Sequence, residues 1–205
     1  MIRSMIAAVS VAVIVSFVLA FAFLSQSDKD NANGNFTDYR DSKVYKFVKI
    51  GKQVWMAENL NYAIEGSRCY NYEAANCAKY GQLYDWKTAQ EICPPGWHLP
   101  SCEEWQNLFN FTSSKEGTAK KLKAKSGWSK SGNGMDDYGF SALPGGYSNP
   151  DGSFSYAGNG GYWWSTDAGE HNYYAYYRGM DYNYEYILYG NNDKSLLFSV
   201  RCVMD

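Results

Sequence analysis

Eleven of the chain's 19 tyrosines lie between Tyr147 and Tyr189, with glycine, asparagine and aspartate spaced among them at short intervals. Tyrosine suits strands and the residues between suit turns, so this stretch reads as an irregular β region with long loops rather than helix. GFSALPGGY over 139–147, which leads into it, and GNGGYWWSTD over 158–167, within it, have this texture. Aromatic residues make up 18% of the chain, which rules out disorder. At 205 residues and 45% apolar content there is one domain with a sizeable core. Nineteen basic against 21 acidic residues leave a formal charge of −2, with no positive excess for a phosphate backbone, so nucleic acid is not an expected partner.

Local signals add the remaining elements. VYKFVKIGKQVWM, residues 44–56, alternates in the β manner around Gly51-Lys52 and predicts a hairpin with Trp55 in the core. CYNYEAANC, residues 69–77, reads as a short polar loop, and a short helix is expected after Tyr84. Ser101 and Glu104 have the spacing of a capping box, and Trp105, Leu108 and Phe109 follow at helical intervals, which predicts a helix from Cys102 to about Phe111. TAKKLKAK, residues 118–125, predicts a second short helix with its lysines on a solvated face. FSVRCV, residues 198–203, closes the chain as a strand with Phe198, Val200 and Cys202 on one side. The expected class is α+β: two short helices packed on an irregular, loop-rich antiparallel sheet, preceded by one hydrophobic N-terminal helix.

That N-terminal helix is expected over Ser4 to Leu24, which contains no charged side chain. As a helix it would span roughly 30 Å, the thickness of a bilayer core. Ala20-Phe21-Ala22 also offers small residues at a cleavage spacing, so residues 1–27 read as a signal anchor or a signal peptide. Arg3 before the segment and Asp28 and Asp30 after it place the rest of the chain outside the cytoplasm. The expected location is the inner membrane facing the periplasm, or the periplasm or cell surface if the segment is cleaved. Residues 28–43 are polar and mixed in charge and read as a tether, with the folded domain over 44–205. Disulfides persist in such a compartment. The five cysteines, Cys69, Cys77, Cys93, Cys102 and Cys202, are odd in number, and their spacing leaves the pairing open. Zinc is not expected, because there is no CxxC pair and His98 and His171 stand far from such spacing. No cofactor or metal is expected.

VWMAENLNY (54–62), YGQLYDW (80–86), CPPGWHLPS (93–101) with Glu104-Trp105, GFSALPGG (139–146), WWST (163–166) and SVRCV (199–203) resemble, in that order, the signatures of the Fibrobacter succinogenes major paralogous domain family, over about residues 44–205. The resemblance implies a fold distantly like C-type lectins and formylglycine-generating enzymes. It also implies a Cys93–Cys202 bridge and a local Cys69–Cys77 bridge, leaving Cys102 as the odd thiol. At the first turn of a helix the Cys102 thiolate is favoured by the dipole; burial as an inert thiol is the competing expectation.

Function is expected from the aromatic stretch. Flat rings stack on the CH-rich faces of sugars, and the Asn, Asp and Tyr groups beside them satisfy sugar hydroxyls. The candidates are Trp163, Trp164, Tyr174, Tyr176, Tyr182, Tyr184 and Tyr186, drawn from a pool that includes Tyr173 and Tyr177. Strand alternation turns Tyr174 and Tyr176 away from Tyr173 and Tyr177, so only part of the pool shares a surface. The expected role is a non-catalytic module binding glycans, with an envelope protein as the alternative partner. An enzyme is not expected: oxidase chemistry of the formylglycine-generating kind needs a reactive cysteine pair, and Cys202 is the only cysteine after Cys102.

Overall fold

The computed structural model describes residues 33–115 and 117–205. The hydrophobic segment 4–24 and residues 28–32 of the tether lie outside the described residues. Among the described residues, no helix is long and apolar enough to cross a membrane. The hairpin forms as its sequence predicts: β2 (Lys43–Ile50) and β3 (Gln53–Met56) pair antiparallel, and Gly51 turns the chain at φ 63°. The tether is shorter than its composition suggests. Asn33–Asp38 is a strand, β1, paired along its length with β2, so the folded part begins by Asn33 and not near Val44. Its one large apolar residue, Phe36, explains why: the ring stacks on Trp97 at 4.5 Å and on Tyr45 at 5.6 Å.

The fold is α+β, with short helices and a large, mainly antiparallel sheet system. The helices are α1 (Ala74–Tyr80), α2 (Trp86–Ala89), α3 (Cys102–Thr112) and α4 (Thr118–Leu122). Among the described residues there are therefore four short α-helices rather than two, and α1 occupies part of the expected polar loop. Two further strands are β4 (Leu83–Tyr84) and β5 (Trp97–His98). The Gly- and Tyr-rich half supplies β6 (Gly145–Ser148), β7 (Phe154–Ala157), β8 (Gly160–Ala168), β9 (Tyr174–Asp181) and β10 (Leu188–Asp193). The expected closing strand is split into β11 (Phe198–Ser199) and β12 (Val203–Met204). β12 completes a sheet ordered β1-β2-β3-β12-β5, and β11 lies in a second ordered β10-β9-β8-β11-β4. β6 and β11 run parallel to β8, so the second sheet is mixed rather than purely antiparallel.

Val200, Arg201 and Cys202 carry the chain from one sheet to the other. The Val200 and Cys202 carbonyls accept from the amides of Leu60 and Met56, so the crossing is hydrogen-bonded like a strand. Each sheet contributes to two cores, one per face. Phe47, Met56, Trp164 and Phe198 enter one; Val48, Trp55, Trp163 and Val203 enter the other, together with α3 through Trp105, Leu108 and Phe109.

At the crossing sits a buried charge. The Arg201 guanidinium is fully buried. It donates from Nε and Nη2 to Asn59 Oδ1 at 3.1 and 2.7 Å, and from Nη1 to the Phe140 carbonyl. The Phe140 ring lies 4.4 Å beneath it. Asn59 Oδ1 also accepts from Trp163 Nε1, and its amide donates to the Tyr80 carbonyl and Ser199 Oγ. Burial pulls the Arg201 pKa down to about 9, with Asp136 and Glu58 opposing from a distance, so the group stays charged at neutral pH. Five of the sequence signatures thus meet at one hydrogen-bonded point, which gives them a structural reason to occur together.

The two bridges are Cys69–Cys77 and Cys93–Cys202, and Cys102 is a free thiol. The capping box forms: Ser101 Oγ accepts from the Glu104 amide, and Glu104 Oε2 accepts from the Ser101 amide. Glu104 Oε1 also lies 2.7 Å from His98 Nε2, while His98 Nδ1 lies 2.6 Å from Asp205 Oδ1. Burial pulls the imidazolium down, but hydrogen bonds and charge from Asp205 and Glu104 outweigh it and raise the His98 pKa. A raised folded value means stability that is fully present below the unfolded pKa of about 6.5 and lost as pH rises through the folded value. His98→Asn is therefore expected to lower the midpoint of thermal unfolding at pH 6 and to leave it nearly unchanged at pH 9. The effect is small, about 0.5–1 kcal/mol, because His98 and its partners are partly solvated. An equal loss at both pH values would refute the charged pairing.

Candidate functional site: a tyrosine-edged cleft

The seven aromatic candidates separate. Trp163 and Trp164 are fully buried, one in each core, and donate their indole N–H groups to Asn59 Oδ1 and the Tyr84 carbonyl. They cannot meet a ligand at the surface, which corrects their place among the candidates. The sheet absorbs others from the pool. Tyr177 lies across Gly190, its paired residue on β10, and Tyr162 across Gly179 on β9, so each ring covers backbone that has no side chain of its own. Tyr174 and Tyr176 are half-buried along β9, on the face that carries Met180. They stand about 17–23 Å along the strand from Asp181, where the β9–β10 loop begins, at about 3.3 Å per residue.

Tyr184 and Tyr186 do come together, in the loop joining β9 to β10, and Tyr182 stands in the same loop against Lys130. Met180 and Ile187 anchor this loop in the core on either side. The Tyr184 and Tyr186 rings stack with centroids 4.8 Å apart and planes at 28°, and they are 40% and 56% exposed. Tyr182, Asn183 and Glu185 of the same loop, but not Tyr184 or Tyr186, line a cleft of about 310 Å³ together with Lys120, Lys123, Lys130 and Asn133.

Glycines make the cleft possible. Gly117, at φ 89° before α4, has the Glu185 carbonyl oxygen only 2.3 Å from where a Cβ would stand. Gly132 meets the Tyr182 backbone at 2.6 Å in the same sense. The 117–134 segment therefore wraps against the tyrosine loop at distances only glycine permits. The loop is held as well as approached. The Ala119 amide donates to the Glu185 carbonyl, and Lys120 Nζ pairs with Glu185 Oε1 at 2.9 Å.

Lys123 overturns the expectation of a solvated lysine face. It is 2% exposed, and its ammonium donates to the Asp181 and Tyr184 carbonyls at 3.1 and 3.0 Å while lying 5.1 Å from the Trp128 ring. Burial lowers its pKa, partly offset by the charges of Asp181 and Glu185. At the cleft mouth Lys130 Nζ lies 3.1 Å from the Tyr182 hydroxyl and 4.8 Å from its ring centroid. Sequence reasoning missed this basic side. The Ser131-Gly-Asn-Gly134 run was the available signal, since glycines at that density mark close backbone approach.

Two other places bring polar groups together. A larger groove of about 780 Å³, lined by Lys46, Glu58, Asn61, Lys79 and Ser141 among others, runs between β2, α1 and the 139–143 loop. No motif singled it out, because its polar residues come from four separated segments. At the start of α3, Cys102 donates its amide to Asp167 Oδ2 at 2.6 Å, and its Sγ lies 3.2 Å from Ser165 Oγ. Burial pushes this thiol up despite the opposing effects of Ser165 and Arg178, which runs against activation by the helix dipole.

Neither the curated proteins nor the solved structures contain a match to this chain. The family comparison does. The model of the Fibrobacter succinogenes major domain matches residues 48–204, from the first hairpin to the last strand. The chain belongs to the Fibrobacter succinogenes major domain family.

Proposed function

We propose that this chain is an exported, non-catalytic module that binds glycans at the tip of the β9–β10 loop. The observation that carries the reading is the exposed Tyr184–Tyr186 stack beside a cleft whose walls present lysine, asparagine, tyrosine and glutamate groups. A sugar ring needs just such a flat apolar surface with hydroxyl partners at its edge. Two disulfides favour an oxidising compartment. The apolar segment 4–24 supplies the export signal or membrane tether. A C-type-lectin-like relationship is part of the proposal, supported by a capped helix packed on the sheet and by the bridge from Cys93 to the chain's closing segment. The non-catalytic reading is supported by His98, already engaged by two carboxylates, and by the protonated Cys102 thiol.

A glycan array probed with the full-length protein tests this directly. Tyr186→Ala is expected to weaken binding about tenfold or more, as loss of an aromatic anchor does, and Tyr176→Ala to change it less than twofold. Absence of any glycan ligand, or equal losses in both variants, would reject the site and leave an envelope protein as the partner class to pursue.

A further inference from the structure

The charges around the cleft are unevenly compensated. Glu185 is engaged by Lys120, and the Asp181 carboxylate accepts from the Asn183 amide at 2.8 Å. Among the described residues, no carboxylate forms a salt bridge with Lys123 or Lys130. Lys123 is buried with two carbonyls as partners, although an ammonium has three protons to donate. Among the described residues, Lys130 reaches the Tyr182 hydroxyl and ring. Two cations therefore line one cleft, Lys123 buried and Lys130 exposed at its mouth, and a buried charge held only by dipoles and a ring is costly unless an anion completes the set.

We infer that the cleft takes an acidic saccharide, one bearing a hexuronate carboxylate seated between Lys130 and Lys123 while a pyranose face lies on Tyr184 and Tyr186. The inference rests on the glycan reading above and sharpens it to a ligand class. The carboxylate sits on the sugar ring itself, so the basic cleft and the aromatic stack engage one residue or two adjacent ones. A neutral sugar uses the stack alone and leaves the cations as they are. Free phosphate uses the cations alone.

The test is calorimetric titration of the full-length protein with oligogalacturonate, its fully methyl-esterified form and inorganic phosphate. The acid is expected to bind about tenfold tighter than the ester, and the advantage to shrink as salt rises past physiological strength. Lys130→Gln is expected to weaken binding of the acid far more than that of the ester and so to remove most of that advantage, while Tyr186→Ala weakens both. An ester that binds as tightly as the acid overturns the acidic assignment and leaves the glycan reading standing. Phosphate that binds as tightly as the acid, with Tyr186→Ala without effect, reduces the cleft to an anion site and overturns the saccharide. If neither acid nor ester binds and a neutral glycan does, only the acidic assignment fails; if no glycan binds at all, both readings fail.

Discussion

Asn59→Leu is expected to destabilise the fold by about 3–5 kcal/mol, the cost of leaving a buried charge without its partner. For a domain of this size that is a fall of roughly 6–20 °C in the midpoint of thermal unfolding. Asn59 Oδ1 receives two guanidinium N–H groups and the Trp163 indole, so its loss strands three buried donors at once. The Phe140 carbonyl is the oxygen that remains to Arg201. Arg201→Met removes the charge along with the need for the acceptor, and replacing buried ionic groups by apolar ones is often close to neutral. Arg201→Met is therefore expected to cost less than Asn59→Leu, and the double variant to recover most of the stability lost by Asn59→Leu. Thermal and denaturant unfolding of the three variants measure this. Equal costs for both single variants, with no recovery in the double, would mean that packing volume rather than the uncompensated charge sets the penalty.

The same network shows what the sequence makes legible. Hairpin β2–β3 and the capped start of α3 depend on residues within a few positions of one another, and both form as read. The alternation at Phe198, Val200 and Cys202 correctly placed all three in one core. It did not show that the chain changes sheets between them, because alternation reports faces and not neighbours. Strand β1 was hidden by its polarity: NGNFTD is stabilised by backbone pairing to β2 and by a single ring. Trp163 and Trp164 stand among the candidates because flat rings stack on sugars, and the sequence carries no sign of which of the two faces solvent. Both faces of this sheet are covered, so adjacent tryptophans are both core.

The candidate site was legible in its aromatic half only. Tyr182, Tyr184 and Tyr186 were visible as a cluster, but the lysines opposite come from a segment about 60 residues earlier in the chain. Lys123 reaches carbonyls 58 and 61 positions away, and nothing local distinguishes it from the solvated lysines beside it. Long-range approach through Gly117 and Gly132 created the cleft, and single-residue spacing carries no record of which distant backbone a glycine will meet.

Removing the Cys93–Cys202 bridge is the second large effect expected. The bridge joins residues 109 positions apart, and opening a loop of that length costs about 5 kcal/mol in the chain-entropy model. The Cys69–Cys77 bridge, with a separation of 8, is expected to cost about 2.5 kcal/mol on the same basis. Alanine substitution of Cys202 adds a cavity, because this side chain is fully buried at the crossing between the two sheets. Reduction leaves the sulfur volume in place, so the reduced wild type separates the two contributions. Denaturant midpoints are expected to fall most for Cys93→Ala/Cys202→Ala, somewhat less for the reduced wild type, and least for Cys69→Ala/Cys77→Ala. The two loops do not overlap in sequence, so their losses are expected to be nearly additive. Against a typical total of about 5–15 kcal/mol, a chain lacking both bridges retains little margin. It is therefore expected to accumulate folded only where disulfides persist, as the proposed extracytoplasmic location requires. A reduced protein as stable as the oxidised one would sink both the entropic ranking and this support for export.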